Sequence, residues 1–358
     1  MVERTKERAT KGNIMNCKIT QRLVGWTMIA ILAGCASTPK TDPKFPAPPP
    51  ALPPAPKYSP QSLNSDLRAK ARAELLVESN ASDPFLRCNA IEAMSEVAPT
   101  EAAPVVLQEL SDPQASVRFA AAVAAGQMKL VDAYKPLIAI AYDPDLRVQA
   151  GVRFALHRLG DTRLSQELEL LAISGDPHVR GATAFVLGLL GEPSATNMLL
   201  KLLADRSPAV RIQAAEALWR LGNRRGLEDL VAFSISGYPD DQIVALQAIA
   251  ETHDQRVIQH VRGQLQSDYT EVSLAAARGI GMLGSDEGWT LVVPAAKSKD
   301  PRQRSLAALA MGAIGRSDLQ PYLKDLLADS EPTVRISAAT AILQLQSEDT
   351  TAYLPKTP

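Results

Sequence analysis

Histidine and cysteine are scarce in this chain of 358 residues, which holds four of the first and three of the second. None of His157, His178, His253 and His260 is followed by Glu, and neither His157 nor His253 neighbours a second ligand at metal-site spacing, so no metal centre is expected. No Cys-x-x-Cys pair, nucleophile elbow or glycine-rich phosphate loop is present, which leaves no catalytic residue to nominate and no cofactor to expect. Aromatic residues make up 4% of the chain, which suits a long thin core of small aliphatic side chains. The apolar stretch Leu23 to Leu32 is ten residues, about half of the roughly 20 that a transmembrane helix needs. An excess of positive charge is missing too. Without residues 1–34 the chain keeps 32 basic and 37 acidic side chains, about −5, so nucleic acid is not an expected partner.

What the chain has instead is a period. Steps of 31 residues from Arg87 land on Arg118, Gln149, Arg180, Arg211, Gln242, Ser273, Arg304 and Arg335 without insertion or deletion. Three residues before this marker stand Pro84, Pro177, Pro208, Pro239, Pro301 and Pro332, often preceded by Asp83, Asp176, Ser207 or Asp300. A cap followed by Pro starts a helix, because the side-chain oxygen takes an orphan N–H and Pro has none to lose. In the fifth copy Val210, Ala214, Ala217, Leu218 and Leu221 follow at helical spacing, and Gly222 stops the helix.

Alanine recurs three residues beyond the marker (Ala90, Ala121, Ala214, Ala245, Ala276, Ala307, Ala338) and again six beyond it, which reads as the seam between copies. Gly279, Gly281 and Gly284 fall in seam and stop columns of the seventh copy, so close packing accounts for them better than a nucleotide fingerprint. Twelve residues before the marker, Leu75, Val106, Leu137, Leu168, Leu199, Leu230, Val261, Val292 and Leu323 belong to an earlier, second helix. Each copy is therefore a helical hairpin that buries its apolar faces only between neighbours.

The unit resembles the short HEAT repeat of phycobilisome lyases and related bacterial proteins, with its D-x-x-P-x-V-R-x-x-A-A-x-A-L-x-x-L-G pattern. Copy five carries it as Asp205, Pro208, Val210, Arg211, Ala214, Ala215, Ala217, Leu218, Leu221 and Gly222, and the resemblance runs over roughly residues 69–346. The expected fold is all-α, a right-handed α-solenoid of about nine 31-residue HEAT-like helical hairpins. The His-Glu pairs that hold iron in the deoxyhypusine hydroxylases, which share this repeat, are absent.

Ahead of the repeats, Lys18 and Arg22 precede the apolar stretch, which runs into Leu32-Ala33-Gly34-Cys35. This resembles a bacterial lipoprotein signal peptide with its lipobox. The resemblance implies cleavage before Cys35, lipidation of its sulfur, and, with Ala36 following, an outer membrane location facing the periplasm. Met15 is an alternative start to Met1. Residues 39–60 carry ten prolines, which read as an extended spacer. The expected organisation is a signal peptide over 1–34, lipidated Cys35 and a proline-rich tether over 35–62, the solenoid over 63–347 and a tail over 348–358.

Two residue sets follow from the columns. The marker arginines Arg87, Arg118, Arg180, Arg211, Arg304 and Arg335, with Asp112, Asp205 and Asp329 six residues ahead of three of them, read as a structural ladder between copies; anion binding is the alternative. Positions two, five and nine beyond the marker form the stripe left for a concave face. There copies one and five present Asn89, Glu92, Glu96 and Gln213, Glu216, Arg220, whereas copies two to four present Val123, Phe154, Phe185 and Leu189, flanked by Gln127 and Arg158. Two phenylalanines at equivalent positions form an apolar centre for a partner if they face solvent, or fold back into the seam; their accessibility decides. Cys88 reads as a buried small apolar residue, with a reactive thiol as the alternative. Copy six, with Asp241 and Thr252 in apolar columns, is expected to be a weak joint or a place where a partner supplies packing.

The function expected is that of a non-catalytic scaffold, lipid-anchored in the bacterial cell envelope, which binds a protein or peptide partner along its concave surface. The alternatives are a lyase-type enzyme or accessory factor, and an envelope polysaccharide binder using Trp219 with Glu216 and Arg220.

Overall fold

A computed structural model describes residues 65–345. The leader, Cys35, the proline-rich stretch and the tail lie outside the described residues. Within them, each copy is an antiparallel hairpin of an outer and an inner helix, the outer one shorter in every copy but the first, where both have 14 residues. In chain order these are α1 (Ser65–Glu78) with α2 (Pro84–Val97), α3 (Pro99–Glu109) with α4 (Ala115–Gln127), and α5 (Tyr134–Ala139) with α6 (Leu146–Arg158). Then come α7 (Leu168–Ala172) with α8 (Pro177–Leu190), α9 (Thr196–Leu202) with α10 (Pro208–Arg220), and α11 (Arg224–Phe233) with α12 (Pro239–Ala250). The last three pairs are α13 (Ile258–Gly263) with α14 (Thr270–Met282), α15 (Trp289–Ala295) with α16 (Pro301–Ile314), and α17 (Gln320–Leu326) with α18 (Pro332–Gln344).

The inner helices start where the caps place them. Asp83, Asp176 and Asp300 accept from the N–H of Phe85, His178 and Arg302 at 2.8–2.9 Å, and Pro fills the first helical position behind each. Ser207 stands at the same position in copy five without a side-chain cap bond; there its own N–H is taken by Asp205 at 2.8 Å. Gly222 ends α10 in the left-handed region at φ 76°, where a side chain would be strained. The alanines three beyond the marker are fully buried, and a methyl group added at Gly126 or Gly188 would stand 2.6–2.8 Å from the neighbouring inner helix. Inner helices thus approach at the near end of the usual 8–10 Å spacing.

The stack closes on itself. Inner helix α18 of the last copy packs on α1 and α2 of the first, as every other inner helix packs on the hairpin that follows it. Leu67, Ala71 and Leu75 of α1 share one core with Val334, Ile336 and Ala338 of α18, and Leu75 is as inaccessible as any central residue. Terminal copies of an open solenoid need a polar outer face, and this chain has none because the two ends cover each other. The concave face of an open superhelix is accordingly replaced by the lumen of a nine-hairpin ring. Nine inner helices at roughly 8–10 Å spacing put their axes on a circle of radius about 12–15 Å, and of the side chains five beyond the marker Val123, Phe154, Phe185, Glu216, Gln247 and Leu309 are all buried.

The joint between copies five and six differs from the rest. There α10 and α12 meet less than other neighbouring inner helices, and α11 presses in from outside. It does so at Gly226, where an added methyl group would stand 2.3 Å from the Ala215 carbonyl oxygen and 2.4 Å from the Trp219 nitrogen.

Candidate binding surfaces in the lumen and on the rims

The marker column builds the ties between copies. Arg87, Arg118, Arg180 and Arg304 each donate Nε and Nη2 to an aspartate of the next copy, namely Asp112, Asp143, Asp205 and Asp329, at 2.6–3.0 Å. The Nη1 of each reaches back to carbonyls five and six residues earlier. Such paired, charge-assisted bonds with little exposure are the strong kind. The hydrogen bonds from Arg180 hold Asp205 below the usual carboxylate range and lift the arginine. Arg335 closes the ring in the same manner, donating to Glu74 and Glu78 of α1, while Gln344 donates to Glu96 at 3.2 Å. Burial nevertheless pushes the Glu78 carboxyl up. Arg211 has Ser236 where its column otherwise places an aspartate; it keeps its carbonyl bonds, stands 5.7 Å from the Phe233 ring centroid and acts on Asp241 of copy six through its charge alone. The column is thus occupied by bonds within the ring.

The stripe of positions two, five and nine beyond the marker turns into the lumen. Phe154 and Phe185 are 1% and 4% exposed, so they do not form an exposed aromatic patch, which corrects the first of the two expectations. The reason for Phe154 is Gly126: the missing side chain there leaves a slot in α4, and the ring's edge lies 2.6 Å from where a methyl group would stand. Val123 is buried beside them, and Leu189, Gln127 and Arg158 are half-buried. Trp219, eight residues beyond the marker, is half-buried and Glu216 is buried, so Trp219, Glu216 and Arg220 do not make one open platform.

The polar part of the lumen gathers residues from distant copies. Arg220 bonds Glu216 at 2.8 Å and Glu251 at 2.6 Å, tying α10 to the end of α12. Burial pushes Glu251 up to about 7; the Arg220 charge opposes this, and Glu216 and Glu96 add to it while Arg278 opposes. Glu96 of copy one and Glu251 of copy six thus sense each other across the lumen. On α2, burial pushes Glu92 up to about 8, and its Oε2 has no partner. Asn89, one turn earlier, is 2% exposed with neither amide atom bonded, and Glu216, equally buried, leaves its Oε2 unbonded. Cys88 is buried on the same helix, its thiol pushed up to about 12 by burial and then by Glu92, which makes it inert. These unmet polar atoms have no sequence signature beyond breaking the repeat pattern.

The two rims differ. At the rim of turns within hairpins, Tyr142, Leu146, Ile173, Ile235, Tyr238 and Tyr269 stand exposed, Tyr142 by 72% and Ile173 by 68%. At the rim of connections between copies Val131 is 75% exposed, and beside it stand ion pairs: Arg163 with Asp161, Arg256 with Asp254, Arg316 with Asp318. Sequence reasoning missed the apolar rim because its members fall in loop columns rather than in a helical stripe. The histidines are dispersed: His157 bonds Ser165 at 2.9 Å and His260 lies beside Ser234. Among the described residues no three His, Cys, Asp or Glu side chains group as metal ligands, and no helix is long and apolar enough to cross a membrane.

The HEAT-repeat family model matches residues 71–157, 165–248 and 290–356. This chain is a HEAT-repeat protein. No curated protein matches it. Among solved structures this HEAT-repeat chain is similar to the complex of CpcE and CpcF of phycocyanin lyase from Nostoc, at 19% identity and TM-score 0.41, covering 77% of this chain and 98% of that one. It is similar to human deoxyhypusine hydroxylase in complex with glycerol at 17% identity and TM-score 0.36, covering 79% and 98%. A third is Kap121p bound to Pho4p, at 14% identity and TM-score 0.35, covering 74% and 36%.

Proposed function

We propose that this HEAT-repeat ring is a non-catalytic scaffold of the bacterial cell envelope, held on a membrane by a lipid on Cys35 and binding a protein partner. The observation that carries the binding role is the asymmetry of the rims. Six large apolar side chains stand exposed on one rim, against Val131 alone among the ion pairs of the opposite rim within the described residues. Large exposed apolar side chains set on a rigid frame are the usual anatomy of a protein interface. The anchor is supported by the leader and Leu32-Ala33-Gly34-Cys35. Two or more acyl chains give stable attachment, where one chain alone is marginal. An outer membrane, periplasm-facing location agrees with Ala36 at the second position.

Chemical crosslinking of envelopes followed by capture of the tagged protein tests the binding role. A defined protein partner is expected, and its recovery falls several-fold in the double variant Tyr142→Ser, Ile173→Ser. Equal recovery from the variant overturns the rim assignment. Cys35→Ser tests the anchor separately, since it should move the protein out of the membrane fraction. An unchanged distribution contradicts lipidation.

A further inference from the structure

The outer wall has an opening where the ring closes. At this joint α18 meets α1 more than it meets α2, so α1 is pressed in between the two inner helices, and Leu67, Ala71, Leu75 and Glu78 are buried. Beside it, between α1 and α17, lies a groove of about 740 Å³. It follows both helices from Asp66 and Gln320, at the rim of connections between copies, to Val77 and Ala328 at the other rim. Its surface is mostly apolar, through Val77, Pro321 and Leu327, with the cations Lys70 and Lys324 among them. Lys70 pairs with Asp66 at 2.8 Å, whereas Lys324 has no ion-pair partner among the described residues.

The chain carries a segment in register with that place. Residues 346–358 follow Leu345, and the HEAT-repeat match runs on to residue 356, past the end of α18 at Gln344. One period of 31 residues after Asp318, Tyr322 and Leu323 stand Asp349, Tyr353 and Leu354, so Leu354 continues the apolar series from Leu75 to Leu323. The tail thus repeats the outer-helix columns of a tenth copy. The position such a helix would take against α18 is already held by α1, with Leu75 in its core. The tail's own chemistry also disfavours a helix: Thr350 and Thr351 are β-branched, and Leu354 precedes Pro355. What stays open to it is the groove, as an extended strand.

Length and charge agree with that occupant. The tail leaves α18 at the rim where the groove begins, and at about 3.3 Å per residue the stretch 348–354 spans about 23 Å, against about 21 Å for α1. This brings Tyr353 and Leu354 to the far end, where Val77, Leu327 and Ala328 line the groove. Glu348 and Asp349 supply the negative charge that Lys324 lacks. We propose that residues 348–354 lie in this groove as a clasp, with Tyr353 and Leu354 seated against Val77 and Leu327, across the seam that the main chain does not bridge. The clasp is independent of both the membrane anchor and the rim partner.

Replacing Tyr353 by the photoreactive p-benzoylphenylalanine in the full chain tests this. Irradiation is expected to give a crosslink within one chain, mapped by mass spectrometry to residues 66–77 or 320–328. Val77→Asp should lower its yield several-fold, whereas Leu170→Asp, in the same column of copy four, should leave it unchanged; both side chains are exposed, so both variants should fold, and melting checks that they do. A crosslink elsewhere on the ring, a crosslink to a second copy, or an equal yield in Val77→Asp overturns the proposal. The proline-rich stretch reaches the same rim from Ser65, so the same label at Tyr58 is the competitor. Capture of the groove from position 58 with none from position 353 assigns it to that stretch and overturns the tail as occupant. In a chain ending at Gln346, hydrogen exchange in α1 and α17 should quicken several-fold with α9 unchanged, because a terminal element tied down less opens more often. Unchanged exchange in α1 overturns the clasp.

Discussion

The arc from copy eight through nine and one to three, and the arc from copy five to eight, are held together differently. In the first, each joint carries an arginine bonded to a carboxylate of the next copy, and the closing joint between α18 and α1 belongs to it. In the second, the column reads Arg211, Gln242 and Ser273 opposite Ser236, Ser267 and Ser298, with no ion pair in it. The ties there move to the lumen side, as Arg220 with Glu251, or outward, as Arg262 with Glu287 and Arg302 with Asp240. The joint that lacks a covalent connection therefore has among the densest ionic contacts. Among the joints that the chain does bridge, those after copies one, two, four and eight keep the arginine tie, and those after copies five, six and seven lack an ion pair in this column.

The largest effect expected is at the closure. Arg335→Ala leaves Glu74 and the buried Glu78 without their cation, which should cost about 2–4 kcal/mol, below the full value for a buried pair because the site is partly solvated. The expected readout is a lower melting temperature with a larger radius of gyration by small-angle scattering; an unchanged radius with full stability would show that apolar packing alone closes the ring. Next comes Arg180→Ala, which strands Asp205 and should cost about 2 kcal/mol, against less than about 1 kcal/mol for Arg211→Ala by chemical denaturation. Equal costs would erase the distinction between the arcs.

The pH dependence sharpens the same contrast. Asp205 is held below its ordinary range, so its contribution is present above the unfolded value near 4 and is lost as pH falls through the folded one. Glu92 is shifted the other way, to about 8; the folded state holds its proton more tightly, so stability falls as pH rises from the ordinary carboxylate range to about 8. Melting against pH should peak at mildly acidic values, and Glu92→Gln should raise stability by roughly 1 kcal/mol at pH 8 and little at pH 4. A gain of equal size at both values would tie the effect to packing. Smallest is Ser236→Asp, which gives Arg211 the carboxylate its column lacks and should add about 0.5–1 kcal/mol.

The hairpins were readable from the 31-residue period because caps, seam alanines and stop glycines are local requirements. Closure was not. It depends on a rotation of about 40° per copy, summed over nine seams and set by packing such as Phe154 against Gly126. The partners of Arg335 lie 261 and 257 residues away, beyond any column count. Asp143 escaped notice as a ladder member because Gln149, not Arg, follows it six residues later. The aromatic stripe was misplaced for a related reason: helical spacing gives the face of a residue, while the depth of its slot belongs to the neighbour's glycine.

Closure has a consequence for connectivity. Ser65 and Leu345 stand where every other joint is bridged by a short turn, so the ring has no structural first copy. A short linker joining those two residues, with new termini cut at the exposed Gly191–Glu192 connection, should yield a circular permutant with the same helices, the same closed ring and two termini moved past four of the nine copies.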